Sequence, residues 1–97
     1  MTTGGANLRI SSERLWDSLT EMAAIGPGVA GGCNRQTLTD ADREGRALFR
    51  RWCEAAGMSV AVDRMGTMFA RREGAEPDLA PVYMGSHLDT QPTGGRF

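Results

Sequence analysis

The chain of 97 residues predicts an α/β fold in the order helix, helix, strand, strand, strand. Two stretches before Gly57 carry apolar side chains at helical spacing, and the stretch after it alternates apolar and polar side chains as strands do. A third apolar run, residues 82–84, predicts a buried strand that ends just before the only histidine, His87. Sites in open α/β sheets lie at the carboxyl ends of strands, so this strand indicates where a site would lie.

The composition is typical of a soluble globular protein, with 40% hydrophobic and 24% charged residues. The net charge of -1, from 11 basic and 12 acidic groups, provides no strong field to attract nucleic acid. No apolar run approaches the ~20 residues that span a bilayer, and the N-terminus lacks the pattern of a secretory signal. Two cysteines, Cys33 and Cys53, are too few for a disulfide framework. We therefore expect a cytoplasmic protein with no nucleic-acid or membrane partner.

The first helix is predicted after a disordered lead-in, residues 1–7. Ser11 and Ser12 are good N-cap residues. The helix runs for about three turns and ends at the sequence Gly-Pro-Gly of residues 26–28, because proline cannot continue the hydrogen-bond ladder. Its apolar face is formed by Leu15, Trp16, Leu19, Met22 and Ala23.

The loop after this helix is interpreted as a connector. Residues 26–31 formally match the dinucleotide fingerprint G-x-G-x-x-G, but they follow a helix rather than a strand and include a proline. Cys33 in this glycine-rich loop is a candidate for an exposed thiol, whereas Cys53 falls on the apolar face of the second helix and is expected to be buried.

The second helix has the clearest signals. Thr39 is its predicted N-cap, with Asp42 three residues on, and Gly57 lies where a C-terminal glycine belongs. The polar face interleaves acids with arginines, which favours a solvated face with Asp42–Arg46 and Arg50–Glu54 pairs over a nucleic-acid patch. The apolar pattern comprises Ala41, Gly45, Leu48, Phe49, Trp52, Cys53 and Ala56.

Two strands, residues 59–63 and 67–71, are predicted to form a hairpin. Residues 64–66 connect them, and Gly66 is the expected positive-φ residue.

The sequence His-Leu-Asp after the third predicted strand places two metal-binding residue types together. In an extended segment residues i and i+2 point to the same side, so His87 and Asp89 can face one site. The imidazole can supply one nitrogen to a divalent ion while the carboxylate joins it or fixes the tautomer. The alternative is a hydrogen-bonded structural or surface histidine.

Residues 85–97, Gly-Ser-His-Leu-Asp-Thr-Gln-Pro-Thr-Gly-Gly-Arg-Phe, resemble the first metal-ligand segment of the M20-type metallohydrolases. Within them the pattern is similar to the branch of N-carbamoyl-L-amino-acid hydrolases, β-ureidopropionases and allantoate amidohydrolases. Residues 31–35 resemble the Gly-Gly-x-x-Arg segment of that branch, and residues 39–46 and 52–57 resemble its corresponding helix. The resemblance alone assigns no catalytic role to Arg35. In the branch the motif continues with Asp-Gly, directly after the position of Phe97.

The resemblance implies that residues 1–97 are the N-terminal portion of an α/β catalytic domain built on a mixed sheet. The lid and dimerisation domain is absent from this sequence. The implied enzyme uses two divalent ions (Zn, Mn, Co or Ni), acts on N-carbamoyl amino acids or allantoate-like substrates, and is a homodimer at full length. His87 would be a metal ligand, and Asp89 a candidate catalytic residue that accepts from the imidazole or orients the base. The loop that presents the next metal ligand would be shaped by Gln91, Thr93, Gly94 and Gly95.

Two alternatives remain open at this point. The chain could be part of an M20 aminoacylase or peptidase, or a non-catalytic remnant that serves as an interaction module. By themselves the 97 residues offer one imidazole and one carboxylate in this motif, so we expect weak metal binding and no hydrolysis from them alone.

Overall fold

The computed structural model describes residues 8–97, and the predicted disorder of residues 1–7 lies outside this range. The elements are helix α1 (Ser12–Ala23), a short 3-10 turn (Val29–Gly31), helix α2 (Asp40–Ala55), strand β1 (Ser59–Val62) and strand β2 (Met68–Arg71). This order confirms a small α/β arrangement with two helices and a two-stranded sheet. Neither helix of the described residues has the length and apolar content needed to cross a membrane.

Helix α1 begins and ends where the sequence predicts. The Ser11 hydroxyl accepts a hydrogen bond from the Arg14 backbone N–H at 3.2 Å and so satisfies one orphan donor of the first turn. After Ala23 the chain turns through Gly26, whose φ is 77°. A Cβ at this position would lie 2.6 Å from the Asn34 carbonyl oxygen, so both the conformation and the close approach require glycine.

Helix α2 carries complete signals at both ends. The Thr39 hydroxyl accepts from the Asp42 N–H at 3.2 Å, which confirms the predicted N-cap. At the other end Gly57 has φ 85°, its N–H donates to the Glu54 carbonyl, and the Met58 N–H donates to the Cys53 carbonyl at 2.9 Å. This pair of bonds is the Schellman motif, which satisfies carbonyls that the helix leaves free.

The polar face of α2 holds one of its two predicted pairs. Arg50 and Glu54 form an exposed ion pair with a distance of 3.3 Å. The predicted Asp42–Arg46 pair is wrong because both side chains have other partners. The Asp42 carboxylate accepts from the Leu38 N–H, and Arg46 donates to the Gly66 carbonyl at 2.7 Å, which ties α2 to the hairpin.

Strands β1 and β2 pair in antiparallel register, with Ser59 opposite Arg71 and Val62 opposite Met68. Gly66 has φ 89°, which confirms its predicted role in the connection. The Asp63 carboxylate accepts from two backbone N–H groups of the turn and so fixes its shape.

The predicted third strand does not form, and its predicted burial is wrong. Residues 82–84 have no regular structure in the described chain, and Val82 and Met84 are 91% and 92% exposed. A strand needs a neighbour for its backbone hydrogen bonds, and the sheet of the described residues contains only β1 and β2. The sheet seen here is therefore antiparallel, and the expected mixed sheet is not part of it.

The core of the described residues is small, and its residues come from the end of α1, the following loop and α2, which also packs against β1. Its buried apolar side chains are Met22, Ala23, Cys33, Leu48 and Cys53. The radius of gyration is 16.0 Å, whereas a compact domain of this length has about 12–13 Å. Large apolar side chains of α1, among them Leu15 and Trp16, consequently remain half exposed.

Candidate metal-ligand site

His87 and Asp89 lie on a segment without regular secondary structure, and their side chains face each other, as their spacing predicts. The imidazole Nδ1 lies 3.0 Å from Oδ1 of Asp89 and 2.9 Å from its backbone carbonyl oxygen. The two side chains are 75% and 41% exposed. This contact joins an imidazole to a carboxylate at the surface of the described chain.

The surroundings of Nδ1 determine which imidazole nitrogen can bind a metal. Both of its neighbours are acceptors, so the proton lies on Nδ1, which donates to them. In the neutral ring Nε2 then carries the free lone pair, and it has no hydrogen-bond partner among residues 8–97. Histidines that bind metals commonly donate their other N–H to a carboxylate in this way. The geometry therefore fits His87 as a ligand through Nε2.

The second oxygen of the Asp89 carboxylate is also held. The Thr37 hydroxyl donates to Oδ2 at 2.8 Å. This hydrogen bond and, to a smaller extent, the one from His87 lower the pKa of Asp89 below its ordinary value, because both stabilise the ionised form. Asp89 is thus an anion at neutral pH, oriented from both sides. Sequence reasoning missed Thr37, because nothing in its local pattern indicates a partner 52 residues away.

The loop before α2 holds the His87 segment in place. The Arg35 N–H donates to the Thr90 hydroxyl at 2.7 Å, and the Thr90 N–H donates to the Arg35 carbonyl at 2.8 Å. The Cys33 N–H donates to the Gly95 carbonyl at 2.8 Å. Two loops that are distant in sequence are therefore paired through their backbones.

Cys33 is buried, so the expectation of an exposed thiol is wrong. It is 1% exposed, and its thiol donates to the Ile25 carbonyl at 3.3 Å. The glycine-rich loop folds back over the end of α1, which encloses the side chain. Cys53 is 3% exposed, as predicted. Its burial, and to a smaller extent the negative charge of Glu54, raise the pKa of its thiol.

A cleft of about 490 Å³ opens beside these residues. It is lined by Leu19, Met22 and Ala23 of α1, by Cys33 and Arg35 of the following loop, and by residues 86–91 and 93–97. The ring of Phe97, one of these lining residues, packs against Trp16 with centroids 5.7 Å apart. Gln91, Thr93, Gly94 and Gly95 are among the residues that line the cleft.

The described residues do not form a complete metal centre by themselves. No group of three or more histidine, cysteine or acidic side chains that could hold an ion occurs within residues 8–97. A zinc centre needs at least three protein ligands, which the described residues do not bring together.

Comparison of the sequence and fold with known proteins identifies the family of this chain. The N-carbamoyl-L-amino-acid amidohydrolase of Rhizobium meliloti is 68% identical over 97 residues, which is 100% of this chain and 23% of that protein. The crystal structure of a hydantoinase/carbamoylase family amidase from Burkholderia ambifaria superposes with a TM-score of 0.88 and 59% identity, covering 93% of this chain and 22% of that one. This chain belongs to the carbamoylase and allantoate amidohydrolase branch of the M20-type metallohydrolases.

The likeness extends to more distant members of the branch. The ureidoglycolate hydrolase of Arabidopsis thaliana is 27% identical over 92 residues, 95% of this chain and 19% of that protein. No family model matches the chain. The chain spans less than a quarter of the length of these branch members.

Proposed function

We propose that residues 1–97 form the N-terminal portion of the catalytic domain of a metal-dependent amidohydrolase. The reaction is hydrolysis of the ureido group of N-carbamoyl amino acids or allantoate-like compounds. For an N-carbamoyl amino acid, water adds to the carbamoyl carbon, and the amino acid, carbon dioxide and ammonia are released. The observation that carries this proposal is the imidazole of His87, which is held at Nδ1 by Asp89 and leaves Nε2 free.

His87 and Asp89 have distinct roles in this proposal. His87 holds one of two divalent ions (Zn, Mn, Co or Ni) through Nε2. When bound, the two ions supply an activated water and polarise the carbonyl oxygen that is attacked. Asp89 fixes the imidazole tautomer and orientation and lies where it can orient the catalytic base. The lowered pKa of Asp89, caused by the hydrogen bonds from Thr37 and His87, favours the ionised carboxylate that accepts from the imidazole.

The exposed apolar segments support a larger catalytic domain. The side chains of residues 82–84 are largely exposed, and Leu15 and Leu19 on the apolar face of α1 are about half exposed. We propose that further strands of a mixed sheet cover them in the complete enzyme, with a separate lid and dimerisation domain and a cytoplasmic location. An exposed apolar segment of this kind would otherwise be able to pair with other chains and aggregate.

A chimera tests the proposed function. Residues 1–97 replace the matched segment of the Rhizobium meliloti amidohydrolase, which is 68% identical to them. We expect the purified chimera to retain divalent metal and to release ammonia from an N-carbamoyl-L-amino acid. An N-acetyl amino acid serves as the competing substrate, because preferential deacetylation would indicate an aminoacylase instead.

Three variants of this chimera assign the site residues. His87→Ala should lose metal from one of the two positions and lose hydrolysis. Asp89→Asn should retain metal with lower affinity, because an amide is a weaker acceptor for the imidazole N–H. Asp78→Asn, an acid in the exposed loop before residue 82, is the matched control and should be unchanged. Full metal content and activity in His87→Ala would overturn the proposal.

A further inference from the structure

Arg35 is buried more completely than any other charged side chain of the described residues, with 5% exposure. Its Nη1 group donates to the carbonyls of Met22 and Ile25, both at 2.8 Å, and lies 3.1 Å from the Cys33 sulfur. Its Nε donates to the Leu88 carbonyl at 2.9 Å. One guanidinium group therefore joins the end of α1 to the peptide between His87 and Asp89.

No carboxylate pairs with Arg35 within residues 8–97, and the positive charge is met by backbone carbonyls. Those of Met22 and Ile25 lie at the C-terminal end of α1, which carries the negative end of the helix dipole. The planar fork of arginine can donate along two directions at once, toward α1 and toward Leu88. Lysine has a single nitrogen at its tip and cannot reproduce this bridge.

The surroundings of Arg35 limit its movement. Its backbone is paired with Thr90 in both directions, at 2.7 and 2.8 Å. Its side-chain stem lies against Gly45 of α2, where a Cβ would be only 2.8 Å from the Arg35 Cδ. The residue is thus packed between two helices and the His87 segment, and it contacts that segment on both sides of Asp89.

We propose that Arg35 is a positioning residue that holds the Leu88 peptide against α1 and so sets the separation of His87 and Asp89 for metal binding. This inference rests on the proposed function, since it concerns the same ligand. Within the described residues Arg35 makes no hydrogen bond to Nε2 of His87. It acts through the backbone that carries the ligand.

The first test is Arg35→Lys in the chimera. We expect the affinity for added Zn²⁺, measured by competition with a chelator, to fall about tenfold, as is usual when a group that orients a ligand is lost. The matched control is Arg46→Lys, which weakens an arginine-to-carbonyl bond at the hairpin and should change Zn²⁺ affinity less than twofold. Equal losses of affinity in the two variants would overturn the proposal, because they would reflect general destabilisation.

A second variant covers the case in which Arg35→Lys does not fold. Gly45→Ala places a methyl group against the aliphatic part of the Arg35 side chain and leaves residue 35 unchanged. It should also lower Zn²⁺ affinity. Ala47→Gly, at an exposed position of the same helix, is its control and should not. Unchanged affinity in Gly45→Ala would contradict the positioning role.

The His87→Ala chimera separates this inference from the proposed function. If His87→Ala lowers Zn²⁺ affinity while Arg35→Lys does not, only the role of Arg35 is wrong. If His87→Ala has no effect on Zn²⁺ affinity, the ligand assignment itself fails, and the positioning role fails with it.

Discussion

Gly45→Ala is a substitution on which helix propensity and packing make opposite predictions. Gly45 lies inside α2 and is buried. A new Cβ would lie 2.8 Å from Cδ and 3.2 Å from Nε of Arg35, and 3.3 Å from the Met22 sulfur. Carbon atoms pack at about 3.5–4.0 Å, so a neighbour must move. The Arg35 side chain cannot shift without stretching its bonds to three carbonyls.

The magnitudes favour destabilisation. Alanine in a helix interior gains about 0.5–1 kcal/mol over glycine. Overpacking a well-packed position costs about 1–3 kcal/mol. The difference leaves a net loss of about 1 kcal/mol in the free energy of unfolding.

Thermal unfolding of the chimera measures this loss, with Ala47→Gly as the control for helix propensity. In an Arg35→Ala background the penalty of Gly45→Ala should disappear, because the atoms that the new methyl group meets most closely are gone. A more stable Gly45→Ala variant, or an unchanged penalty in the Arg35→Ala background, would refute the packing argument.

Three further predictions concern α2. Thr39→Ala should lower stability by about 1 kcal/mol, because the N–H of Asp42 loses its cap, and hydrogen exchange of the first helical turn would measure this; unchanged exchange would exclude the cap. Arg50→Ala should change stability by less than about 1 kcal/mol, since its pair with Glu54 is exposed, and a larger effect that persists at high salt would contradict this. The raised pKa of Cys53 means that the fold favours the neutral thiol. The contribution of this thiol to the free energy of unfolding is therefore present below the ordinary thiol pKa of about 8.5, and it is lost as pH rises through the pKa in the folded protein. Cys53→Ala should therefore flatten the alkaline fall of stability, and an unchanged slope would refute the assignment.

Most elements could be predicted from the sequence because their signals are local. The caps at Ser11 and Thr39 and the glycines at Gly57 and Gly66 act within a few residues of their own positions. Apolar spacing then identifies the helices and the hairpin. The run at residues 82–84 has an equally clear local signal, but strand formation also needs a neighbouring strand, which the described residues do not contain.

The candidate site could be predicted only in part. The same-side placement of His87 and Asp89 follows from a two-residue spacing and is confirmed. The hydrogen bonds from Arg35 to the His87 segment and from Thr37 to Asp89 join segments more than 50 residues apart. The Gly-Gly-x-x-Arg pattern of residues 31–35 can be recognised in the sequence. The contacts that Arg35 makes become evident only in the structure, where its loop pairs with the His87 segment.

The most direct test of the site is the crystal structure of the Zn²⁺-loaded chimera, with the ion located by anomalous scattering. The proposal predicts Zn²⁺ at about 2.0–2.1 Å from Nε2 of His87, with the Asp89 carboxylate still bound to Nδ1. Zinc on Nδ1, or no zinc at His87 in an active enzyme, would contradict the assignment of this segment as a metal-ligand site.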